Sequence, residues 1–308
     1  MVTRVKLLSS VALFLLWLLA ACSQEGAIED VPTATLPVTP SATATTAPAT
    51  DTPVITPSAT PLPEGLPLSS EDWKSWPVVP VVTQPARQIY LRGQELGNNP
   101  HAFSVLGDCH SVPDVFMGVY DTDPAVVAAL PPELQEAAAY FSGSFSREAP
   151  TAKTGVTAGA LLWTQWHEGK FGCQDSETPV ACELRLQRPS FVIINIGTHW
   201  EARNMDYMRR IIETLIQQGV VPILATKADN REGDDRLNYE TALLAVEYGL
   251  PVWNFWAATV DLPNHGLYTK KGDEHLGDIY LNDEALQIHR FTALQALDAV
   301  WRAVTAGE

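Results

Sequence analysis

Residues 103–112 read FSVLGDCHSV, and this stretch decides the fold. Its apolar run stops at Gly107, and an acid, a thiol, an imidazole and a hydroxyl follow in succession: Asp108, Cys109, His110 and Ser111. An apolar run that gives way at a glycine to reactive side chains reads as a buried strand entering a loop. In open α/β sheets, ligand sites form beyond the carboxyl ends of such strands.

The second half repeats the pattern. SFVIINIGTHW (190–200) carries an apolar run suited to a strand buried on both faces. In RNMDYMRRIIETLIQQG (203–219), Met205, Met208, Ile212, Leu215 and Ile216 fall at helical spacing, with Gly219 placed to end the helix. VVPILATKADN (220–230) reads as a strand, LNYETALLAVEYG (237–249) as a helix closed by Gly249, and LPVWNFW (250–256) as a third strand. The segment 283–304 makes a long terminal helix. In the front half, HAFSVLGDC (101–109) is the first strand and Pro113 can open the helix after it. Residues 124–141 and VTAGALLWTQWHEG (156–169) have helical patterns. Strands alternating with helices predict a parallel sheet covered on both faces. Cys109, His199 and Asn230 all fall at or just past predicted strand ends.

Charge and cysteines set the context. Acidic residues outnumber basic ones, 36 to 20, for a formal net charge of −16, which argues against nucleic-acid partners and anionic headgroups. The first residues, MVTRVKLLSSVALFLLWLLAACSQ, place Arg4 and Lys6 before a short apolar run that ends in small residues. The ending Leu19-Ala20-Ala21-Cys22 resembles a bacterial lipobox, in which Cys22 is lipidated; the alternative is an uncleaved anchor. Either arrangement tethers the protein outside the cytoplasmic membrane. Residues 23–68 are rich in Pro, Thr and Ala, with few large apolar groups, and read as a disordered linker. Residues 69–308 are enough for one large domain. Of the four cysteines, Cys173 and Cys182 bound a short polar segment and are expected to pair in an oxidising compartment. Cys109 is then unpaired, and such a thiol is either buried and inert or chemically employed.

At this point the chain resembles the SGNH/GDSL hydrolase family, over about residues 100–305. The Gly-Asp-Ser block of that family reads Gly107-Asp108-Cys109 here, and its Gly-x-Asn-Asp block reads Gly197-Thr198-His199-Trp200. Its closing Asp-x-x-His block is offered by KKGDEHL, with His275. The second-block glycine is taken as Gly155, with Gly159 the alternative. The resemblance implies a three-layer, flavodoxin-like α/β fold and ester hydrolysis without metal or organic cofactor. It implies Cys109 as nucleophile, His275 as base oriented by Asp273, and Gly155 and His199 as oxyanion donors. Asp108 is expected to support the loop. The sequence departs from the family at three points: cysteine for serine, His199 for asparagine, and Asp273 two residues rather than three before His275.

The expected substrate is a small-molecule or glycan ester, most directly an O-acetyl group on a glycan. The rival expectation is a degenerate hydrolase fold that binds a glycan or envelope component without turnover. A metal centre built from Asp108, Cys109, His110, His199 and His275 is the less favoured use of the same residues, because no short paired spacing such as Cys-x-x-Cys supports it. His167 reads as a helix-surface residue and His265 as a loop residue near the site rim. Most tryptophans read as core, with Trp200 the exception at the expected mouth.

Overall fold

The computed structural model describes residues 61–306. The expected signal segment 1–22, with Cys22, and the linker up to residue 60 lie outside the described residues. Residues 61–68 do belong to the described fold: Leu62, Leu66 and Leu68 pack on the core, and the Gln84 N–H donates to the Pro63 carbonyl at 2.7 Å.

A first helix, α1 (Gln84–Glu95), is capped by the Thr83 side chain and has Pro85 in its first turn. It leads into β1 (Asn99–Gly107). Short helices α2 (Val119–Thr122), α3 (Pro124–Ala128), α4 (Pro132–Tyr140) and α5 (Ala158–Leu161) follow, then α6 (Pro179–Gln187). Next come β2 (Pro189–Asn195), α7 (Asn204–Gln217), β3 (Val221–Ala225), α8 (Arg236–Tyr248), β4 (Val252–Trp253) and α9 (Phe255–Thr259). A small antiparallel pair, β5 (Leu267–Tyr268) and β6 (Tyr280–Leu281), precedes the long α10 (Asp283–Thr305). Among the described residues no helix is long and apolar enough to cross a membrane.

The main sheet is parallel, in the order β1-β2-β3-β4. Every residue of β2 and β3 is buried, as a sheet covered on both faces requires. Helices α1 and α10 pack together on this sheet, and α7 and α8 form a second pair against β3. The aromatic core shows the layering: Phe191 of β2 stacks on Tyr90 of α1 at 5.6 Å and meets the edge of Phe141 at the same distance.

One isolated bridge extends the topology. Gly107 forms a parallel bridge with Ala152; its N–H donates to Thr151 O and its carbonyl accepts Lys153 N–H, both at 3.0 Å. Residues 151–153 are thus a rudimentary strand on the side of β1 away from β2. The spatial order, with that segment outermost, is the flavodoxin-like 2-1-3-4-5, and its switch point lies at the carboxyl end of β1. The protein therefore has the three-layer α/β fold expected.

Several local expectations do not hold. No helix opens at Pro113; residues 112–118 form turns, among them Phe116 N–H to Val112 O at 2.9 Å and Gly118 N–H to Pro113 O at 3.0 Å. Phe116 and Met117 are both buried, and consecutive buried side chains do not suit one face of a surface helix. The pattern over 124–141 divides into α3 and α4 at the Pro131-Pro132 pair. Of 156–169 only α5 is α-helical, and LPVWNFW yields a two-residue strand before α9.

Candidate active site

The loop after β1 is built by close packing. A methyl group on Gly107 would sit 2.0 Å from the Ser111 hydroxyl oxygen and 2.9 Å from the Asn195 carbonyl, so only glycine lets β1 turn so tightly beside β2. Ser111 N–H then donates to Asp108 O at 2.9 Å. The Ser111 hydroxyl is buried and donates to Asn195 O at 3.2 Å, while Asn195 Nδ2 donates back to Ser111 Oγ at 3.1 Å. Ser111 is thereby a structural hydroxyl rather than an exposed nucleophile.

Asp108 holds two loops together. Its Oδ1 accepts His110 N–H at 3.4 Å, and its Oδ2 accepts Gly197 N–H at 3.4 Å and Thr198 N–H at 3.2 Å. The loop after β2 is pinned a second time, where Thr198 Oγ1 donates to Asp229 Oδ2 at 2.9 Å. Asp229 in turn belongs to a buried ion network: Lys227 Nζ donates to Asp229 Oδ1 at 2.9 Å and to Glu232 Oε2 at 2.6 Å.

Cys109 is half-buried and unpaired, at the switch point of the sheet. Burial, and then the carboxylates of Asp108 and Asp229, push its thiol up to about 12. The segment after Cys109 forms turns rather than a helix, and two buried acids act on the sulfur, so the resting thiol is protonated. Burial also raises Asp108, partly offset by His110, and lowers His110. Asp108, Cys109 and His110 bring one ligand atom each within 4.8 Å of one another, so these three of the five candidate metal ligands do converge. His199 is half-buried and couples electrostatically to both Asp108 and His110.

Gly155 has φ of +79°, with open space around it. Gly159 differs, since its N–H donates to Glu201 Oε2 at 3.3 Å and is not free for an oxyanion. His275 is exposed on a 3-10 turn, Glu274–Leu276. Asp273 directs its carboxylate elsewhere: Oδ2 accepts the Tyr280 hydroxyl at 3.0 Å and lies 3.7 Å from Lys270 Nζ. Among the described residues no hydrogen bond joins His275 to Asp273 or to Cys109. Asp273 instead anchors the histidine-bearing loop to Tyr280, whose ring meets the edge of His110 at 6.4 Å. Neither Tyr280 nor this anchoring role was legible from the motif.

His289 was also missed. It lies buried on α10, with Nε2 3.0 Å from Asn195 Nδ2 and Phe116, Trp253 and Phe255 around it. Burial holds its imidazole well below the ordinary range, hence neutral. Its place within the apolar pattern of the terminal helix hid it. His265 packs on Trp256 at 5.2 Å. The indole of Trp200 is exposed and covered by the Arg236 guanidinium at 4.9 Å. Trp163, expected in the core, is 56% exposed. Cys173 and Cys182 form the expected disulfide.

The sheet order and the two flanking layers define a three-layer α/β fold of flavodoxin-like order. No family model and no curated protein matches the chain. Among solved structures, a crystal structure described as a GDSL-like lipase from Bacteroides thetaiotaomicron shares 15% identity, with a TM-score of 0.41, over 70% of this chain and 97% of that one. The fold assignment rests on the sheet's own topology.

Proposed function

We propose that the protein is an extracytoplasmic, membrane-tethered ester hydrolase of SGNH type that removes O-acyl groups, chiefly O-acetyl, from glycans, with Cys109 in the serine position. The observation that carries this reading is the placement of Cys109: a half-exposed thiol beyond β1, at the switch point, between the loops bearing Gly155 and His199. Support for the compartment comes from the Cys173–Cys182 disulfide and from the lipobox-like Cys22. The −16 charge is consistent with the absence of nucleic-acid partners.

In the proposed reaction, Sγ attacks the ester carbonyl carbon as His275 takes the thiol proton. Because the thiol is protonated at neutral pH, deprotonation accompanies attack rather than preceding it. The carbonyl electrons become an oxyanion, met by Gly155 N–H and a ring N–H of His199. Collapse breaks the ester C–O bond, and the alcohol leaves with the proton returned by His275. Water then cleaves the thioester by the same relay, releasing the carboxylic acid and restoring the thiol. Asp273 and Tyr280 hold the His275 loop in place.

A second reading is a degenerate hydrolase fold that binds a glycan or envelope component without turnover. It is favoured by the thiol raised to about 12 and by the exposed His275, whose ring has no hydrogen-bond partner among the described residues. Hydrolysis of an aryl acetate and of an acetylated glycan, by the wild type, Cys109→Ser and Cys109→Ala, separates the two. Loss of activity in Cys109→Ala with retention in Cys109→Ser supports the hydrolase; equal rates in all three remove Cys109 from the mechanism. Glycan binding without ester cleavage selects the second reading.

A further inference from the structure

An open groove of about 560 Å³ is lined by Thr157, Trp163, Trp166, Glu201, Tyr207 and Arg210 among others. Both loops that carry the candidate oxyanion donors run on into its wall: Thr157 is two residues beyond Gly155, and Glu201 two beyond His199. Its polar groups differ sharply in how they are engaged. The Glu201 carboxylate is held by the Thr157 hydroxyl and by Gly159 N–H. Arg210 is exposed, and its guanidinium has no hydrogen-bond or ion-pair partner among the described residues. Trp163 is the most exposed large apolar side chain of the described fold.

We propose that this groove is a subsite for an acidic sugar, with the ring stacked on Trp163 and its carboxylate taken by Arg210. An exposed indole face supplies flat apolar contact for the C–H face of a sugar ring, and the fixed Glu201 carboxylate offers a hydrogen-bond acceptor for hydroxyls. An unpaired guanidinium in a protein with 36 acidic and 20 basic residues is complementary to a carboxylate, which it grips bidentately. The subsite deepens the glycan reading above and rests on it for the chemistry at Cys109, but its test does not pass through that thiol.

The test is isothermal titration calorimetry on the full-length protein with an oligogalacturonate and its carboxyl-reduced, neutral counterpart. The wild type is expected to bind the acidic oligosaccharide about tenfold more tightly than the neutral one, as a charge-assisted hydrogen-bond pair implies. Arg210→Gln should erase that preference, Trp163→Ala should weaken both ligands, and both variants should retain wild-type hydrolysis of a small aryl acetate. Equal affinity for the two oligosaccharides, or a preference unchanged in Arg210→Gln, overturns the subsite. A preference that stands in a protein without aryl-acetate hydrolysis leaves the subsite in place and fails the hydrolase reading instead.

Discussion

Asp108 Oδ2 accepts the backbone N–H of Thr198 at 3.2 Å, so one buried carboxylate joins the loop after β1 to the loop after β2. Everything proposed for Cys109 and His199 depends on that join, because the two residues follow its two ends.

Replacing Asp108 with Asn tests the join and its electrostatic effect together. The amide loses acceptor capacity for the N–H groups of His110, Gly197 and Thr198, and the expected loss of stability is about 1–3 kcal/mol. Removing the negative charge also lowers the Cys109 thiol from about 12, although burial keeps it above the ordinary thiol range. Alkylation by iodoacetamide as a function of pH reads this directly: the midpoint should shift to lower pH in Asp108→Asn.

The raised thiol has a signature in stability. Its ordinary value is 9.0, and the folded state holds it near 12. Below pH 9 both states keep the proton and the group contributes no pH dependence. Between about 9 and about 12 the unfolded chain binds fewer protons than the folded one, so stability falls as pH rises. Cys109→Ser removes a titratable group and should show a shallower alkaline decline in denaturant midpoint than the wild type. Parallel curves would place the thiol in an ordinary environment.

Gly107→Ala is expected to destabilise by about 1–3 kcal/mol or more, because the added methyl lands on Ser111 and on the Asn195 carbonyl. Gly65→Ala, which meets nothing within 4 Å, is the matched control and should leave the melting temperature unchanged. A normal melting curve for Gly107→Ala would mean that the turn accommodates a side chain.

Cys173→Ser should lower stability by about 2–3 kcal/mol through loss of the short closed loop. A thiol reductant should lower the melting temperature of the wild type to that of the variant and leave the variant unmoved. Equal melting temperatures without reductant would show that the bridge adds no stability.

The elements legible in the sequence were those whose burial is periodic or complete. β2 and β3 announce themselves as continuous apolar runs, and α7 through Met208, Ile212 and Leu215 on one buried face. What stayed hidden depends on contacts with distant parts of the chain. The rudimentary strand at 151–153 has no apolar run of its own and exists because Gly107 offers it both backbone groups. The turns after Pro113 follow from burying Phe116 and Met117 together, which no helical pattern foretells. The same holds at the site. Gly107-Asp108-Cys109 marked the loop, but that Asp273 would bond Tyr280, and that Asn195 would bridge Ser111 and His289, required partners far away in sequence.

Suppressed ionisation at Cys109 also bears on how long the side chain lasts. Peroxides and disulfide exchange act on the thiolate, so a sulfur that keeps its proton near neutral pH reacts slowly with either. Sulfenic acid formation and mixed disulfides are disfavoured by the same burial, and then by the carboxylates of Asp108 and Asp229, that hold the thiol protonated. A reduced cysteine can therefore persist in a chain whose other described pair, Cys173 and Cys182, is oxidised.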